Sequence, residues 1–90
     1  MKTCWILYGE TGIVEDNLDR RWIVSVFKQE NDCRAEKERL NDWAKENGAH
    51  IDNYNWNDRP YGLKCPFDPA MDEILLGGIS YSCYPVEFRD

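Results

Sequence analysis

Ninety residues with 17 acidic and 11 basic side chains, a net charge of −6, make one domain with a single small core. That balance repels phosphate backbones and anionic lipid headgroups, so direct nucleic-acid and membrane-surface binding are disfavoured. Four Trp, five Tyr and three Phe are more rings than a core under one helix absorbs, which leaves some for an interface.

The first ten residues hold one lysine and a short apolar run, without the aliphatic stretch and small-residue cleavage site of a secretion signal. No run approaches the ~20 apolar residues of a membrane span. A cytoplasmic protein is expected. Thr3 to Tyr8 reads as a first strand, with Cys4, Ile6 and Tyr8 on one face, Trp5 and Leu7 on the other, and Gly9 ending it. Glu10 to Asp19, with its Gly12, reads as a long hairpin loop in which Ile13 and Val14 fold back underneath. Gly9-Glu10-Thr11-Gly12 lacks the lysine and following helix of a phosphate loop.

Arg21 to Lys28 reads as the second strand, with Trp22, Val24 and Val26 facing one way and Ile23 and Phe27 the other. Both faces are apolar, the pattern of an interior strand. A helix is expected from Asp32 to Asn47, capped by Asn31 or Asp32 and stopped by Gly48, with Cys33, Leu40, Trp43 and Ala44 on its buried stripe. Its outer face is laced with opposite charges, among them Glu30 with Arg34 and Glu36 with Arg39, which mark a solvated surface rather than a catalytic one.

Ala49 to Gly78 has little periodicity and is too long for a mere connection in so small a domain. Tyr54, Trp56, Tyr61 and Phe67 are interleaved there with Asn, Asp, Gly and Pro, and Met71 to Leu76 suits one helical turn or a short strand. Aromatic anchors in a polar loop are common material of binding surfaces, so Tyr54, Trp56, Tyr61 and Phe67 are the candidate binding residues. Asp68 and Asp72 join them as acids in the same segment; with Glu73 they also suggest a divalent-ion turn, but the oxygen-ligand spacing of a calcium loop is missing. Ile79 to Phe88 closes the chain as a third strand, in which Ile79, Tyr81 and Cys83 alternate first and Tyr84, Val86 and Phe88 afterwards, a parity change that suggests a bulge near Pro85.

The expected fold is α+β: a three-stranded antiparallel or mixed sheet in β-β-α-β order, spatial order second-first-third, one helix on one face, and a long aromatic-rich loop. The face without a helix, or an edge strand, is a natural place for a partner or for a homodimer. His50 is the single histidine and has no second ligand in metal spacing, and the four cysteines Cys4, Cys33, Cys65 and Cys83 form no C-x-x-C. They read as reduced thiols packed like small hydrophobes, so no metal, no cofactor and no catalytic residue is expected.

Pro66-Phe67-Asp68-Pro69, then Met71-Asp72, a glycine at Gly77 or Gly78, and the ending Tyr81-x-x-Tyr84-x-Val86-x-Phe88 resemble the C-terminal half of small tailed-phage proteins. Those also begin with a strand, a hairpin and a charged helix; Tyr54 to Tyr61 and the Trp-rich core depart from their pattern. The resemblance implies an anti-defence or anti-CRISPR type of protein that acts in the host cytosol by binding. The reading that follows is a noncatalytic inhibitor that blocks a host defence or nucleic-acid-handling protein through an acidic, aromatic-rich surface. The alternative is an oligomer that sequesters a nucleotide-like ligand, with Arg59, Lys64 and Arg89 as the nearby cations.

Overall fold

A computed structural model describes residues 2–13, 18–58, 65–68 and 78–88. Strand β1 (Lys2–Ile13) and strand β2 (Leu18–Phe27) form a hairpin, helix α1 (Glu30–Glu46) follows, and strand β3 (Ile79–Phe88) closes an antiparallel sheet of order β2-β1-β3. This is the expected α+β arrangement, with the strand order second-first-third that the connection rules give. The interior position expected for β2 is not observed: β2 is an edge, and Ile23 and Val26 stand 58% and 56% exposed on it.

The hairpin ladder is longer than the pattern suggests, pairing Gly9 with Trp22 and continuing to Ile13 opposite Leu18. Gly9 does not end β1, because the Trp22 indole lies across it: a Cβ on Gly9 would sit 2.5 Å from the ring. Glycine inside this strand marks a close approach rather than a break. The register of β2 slips between Leu7 and Tyr8, which face Ser25 and Ile23 and leave Val24 as the extra residue of a bulge. The bulge reverses parity, so Trp22, Val24 and Phe27 all pack against the core while Val26 joins Ile23 outside. By contrast β3 pairs with β1 without interruption from Lys2 opposite Phe88 to Thr11 opposite Ile79, so the bulge expected near Pro85 is absent. The two alternating sets of β3 are simply its two faces, and Pro85 is tolerated because β3 is an edge.

Helix α1 begins two residues before the expected start, with Gln29 in extended conformation at the N-cap and no side-chain cap. Glu30 and Asp32 occupy the first turn, where their charge suits the positive end of the helix. The other end is a Schellman stop: Gly48 adopts φ +66°, its N–H donates to the Lys45 carbonyl at 3.3 Å, and the Ala49 N–H donates to the Ala44 carbonyl at 2.8 Å. Cys33, Leu40 and Ala44 are buried, Trp43 is half-buried, and Arg34 and Arg39 pair with Glu30 and Glu36 on the outer face. The core under the helix comprises Leu7, Cys33, Leu40, Ala44, Ala49, Cys65, Ile79 and Tyr81. Among the described residues no helix is long and apolar enough to cross a membrane.

The chain leaving α1 turns at once onto the outer edge of β3. The Ile79 N–H donates to the Ala49 carbonyl at 2.8 Å, and the Ile51 N–H donates to the Ile79 carbonyl at 3.0 Å. Gly78 makes this possible, since a Cβ there would meet the Ile51 Cα at 2.6 Å. One step along β3, the Asn41 side chain takes the place of a neighbouring strand: its Nδ2 donates to the Tyr81 carbonyl at 3.0 Å and its Oδ1 accepts the Tyr81 N–H at 2.9 Å. The first half of this edge is therefore closed to further strand pairing.

Candidate functional site: the open face of the sheet

Alternation along the strands sends Trp5, Leu7 and Gly9 toward α1 and Cys4, Ile6, Tyr8 and Glu10 to the opposite side. Register then fixes their neighbours. Ile6 lies between Val26 and Tyr84, Tyr8 lies beside Ile23, and Glu10 lies beside Arg21. The result is an apolar band across all three strands, in which Ile23, Val26 and Tyr84 are 58%, 56% and 43% exposed. Tyr8 and Tyr84 meet edge to face with centroids 5.3 Å apart, a preferred geometry for aromatic pairs. Beside them opens a cleft of about 370 Å³, lined by Tyr8, Arg21, Trp22, Ile23 and Tyr84. Arg21 stands at the end of the band, 3.4 Å from Glu10 in a largely exposed ion pair.

The loop residues expected to bind are placed differently from one another. Tyr54 is half-buried; Trp56 starts a short 3₁₀ turn, Trp56–Asp58. Phe67 is exposed, with the Arg39 guanidinium 3.9 Å from its ring centroid, so it is held against the helix. Tyr61 and Asp72 lie outside the described residues, as do Met71 to Leu76 and the cations Arg59, Lys64 and Arg89.

Asp68 is not a surface acid. It is 2% exposed, and its Oδ2 accepts the Trp22 indole N–H at 2.7 Å and the Tyr81 hydroxyl at 2.9 Å. The carboxylate ties the 65–68 turn to β2 and β3, and Trp22 and Tyr81 meet edge to face above it. Burial first, and then the neighbouring Asp68 charge and hydrogen bond, push the Tyr81 hydroxyl well above its ordinary range. Burial likewise raises the adjacent Cys65 thiol. Both groups therefore stay protonated at neutral pH, where a thiol cannot act as a nucleophile.

Cys33 and Cys83 form a second pair, one on α1 and one on β3. Burial and the hydrogen-bonded Cys83 push the Cys33 thiol up to about 12. His50 is buried where the 49–51 segment meets β3, and burial lowers its pKa against the opposing pull of Asp52. The Asp52 N–H donates to His50 Nδ1 at 3.1 Å, so the neutral imidazole carries its proton on Nε2 and holds a turn. Among the described residues no group of three His, Cys, Asp or Glu side chains gathers as a metal site.

Sequence reasoning missed Tyr8, Arg21, Ile23, Val26 and Tyr84 as a set. The uncovered face itself was expected from the single helix; its residues were not, because the bulge at Val24 decides which side chains of β2 reach it. Compared with family models, curated proteins and solved structures, the chain matches none.

Proposed function

We propose that this chain is a noncatalytic binding protein that blocks a partner protein by docking the open face of its sheet onto it. The observation that carries this reading is the apolar band of Ile23, Val26 and Tyr84 around Ile6 and Tyr8, on the side of the sheet opposite the helix. Monomeric domains rarely leave contiguous apolar surface of this kind without a use for it. The candidate loop is less suited, since Asp68 is committed to the core and Phe67 to Arg39.

A host defence or nucleic-acid-handling protein, the class implied by the phage-type resemblance, is the proposed target. The excess acid does not define the docking surface in this reading. Helix α1 alone holds six acidic and four basic residues and lies on the far side of the sheet, where it keeps the complex soluble. The test is capture of a host protein of defined mass by three immobilised proteins: the parent, an Ile23→Lys/Val26→Lys variant, and Trp56→Ala. Capture lost only in the first variant, with its melting temperature unchanged, supports docking on the sheet. Capture lost only in Trp56→Ala moves the surface to the loop.

A further inference from the structure

The cleft beside the Tyr8–Tyr84 pair has a composition more specific than the apolar band around it. It is lined by the Tyr8–Tyr84 pair, Ile23, Trp22 and Arg21. A volume of about 370 Å³ holds a large aromatic side chain with room for its neighbour. The Tyr8 and Tyr84 rings in this lining favour another ring, and the Arg21 guanidinium favours an anion in planar, two-pronged contact. Arg21 is the cation here, in a chain of net charge −6, and its side chain is 68% exposed. Among the described residues its ion-pair partner at the band is Glu10 at 3.4 Å, an exposed contact of the kind worth little in water and open to exchange.

We infer that the cleft takes an aromatic side chain followed by a carboxylate, presented by a segment of the partner protein, with the ring against Tyr8 and Tyr84 and the carboxylate on Arg21. The inference rests on the docking reading above and names the partner's anchor. A protein segment is favoured over a free small molecule because the cleft is continuous with Ile6 and Val26. A ligand confined to the cleft leaves those side chains in water; a segment that runs on across the sheet covers them. Electrostatically, the incoming carboxylate replaces Glu10 on Arg21. Glu10 is thus a built-in competitor, and removing its charge should strengthen binding.

The test is an NMR titration of the full chain with three probes: capped Trp-Asp dipeptide, capped Trp-Asn dipeptide, and adenosine monophosphate. Trp-Asp is expected to shift the resonances of Tyr8, Ile23 and Tyr84 and to bind about fivefold more tightly than Trp-Asn, the ratio that one exposed charge contact gives. Arg21→Gln should remove that preference. Glu10→Gln should strengthen Trp-Asp about twofold and leave Trp-Asn unchanged, which a merely structural role for Glu10 does not produce. Equal binding of the two dipeptides, shifts outside the cleft, or tighter binding of adenosine monophosphate than of Trp-Asp overturns the inference. Its failure is separable from failure of the docking reading: if the dipeptides are not distinguished but capture still depends on Ile23 and Val26, only the anchor falls.

Discussion

Asp68 shows how much of this fold hangs on single polar atoms. A buried carboxylate is tolerable only when hydrogen-bonded, and here one oxygen serves both the Trp22 indole and the Tyr81 hydroxyl. Asp68→Ala removes the shared acceptor of both bonds at once, taking it from the half-buried Trp22 indole N–H and from the buried Tyr81 hydroxyl. A loss of about 2 to 5 kcal/mol in chemical denaturation is expected, from one to three for each orphaned donor with some relaxation. A change below about 0.5 kcal/mol contradicts the placement of the turn. His50 gives a pH signature with a definite sign. Its folded pKa lies below the ordinary 6.5, so the folded protein binds fewer protons than the unfolded chain just below that value. Stability from this residue is thus fully present above pH 6.5 and falls as the pH drops through and below it. Denaturation midpoints followed from pH 7.5 to about 5 should fall in the parent and fall less in His50→Gln, before the carboxylates titrate.

At the scale of elements, α1 is bound to the sheet by Leu40, Cys33 and Ala44, each with no exposed surface. Leu40→Ala should cost about 2 to 5 kcal/mol, because the sheet beneath cannot collapse into the space. A variant melting within a degree or two of the parent contradicts the packing. Cys33 supplies a chemical check: buried and held near 12, it should resist alkylation in the folded protein at pH 8 and react once the chain is unfolded. The strand parity of β1, the helix stripe, the Gly48 stop and the strand order were legible in the sequence, since each follows from period, caps and connection rules, whereas the two faces of β3 were misread as a bulge near Pro85. The bulge at Val24 was not, because one inserted residue leaves no mark when apolar residues stand on both sides. Nor was the true length of β1, since Gly9 reads as a break until Trp22 is laid over it from another strand. Asp68 and Asn41 escaped for the same reason: their partners lie 46 and 40 residues away in the chain.

Across the whole molecule, the sheet divides two unlike surfaces. One side carries the charged helix and the pinned aromatic Phe67; the other carries an apolar band that ends in Arg21 and Glu10. An exposed pair such as Ile23 and Val26 contributes little to folding, so charged replacements there should leave stability within about 0.5 kcal/mol while abolishing capture. The most direct measurement is a methyl NMR footprint of the captured partner on the isotope-labelled chain. Shifts at the methyls of Ile6, Ile23, Val26 and Val86, with those of Leu40 and Ala44 on the buried face of the helix unchanged, are the predicted result. A footprint on residues 49–58 and 65–68 that leaves those four methyls unmoved contradicts docking on the open face.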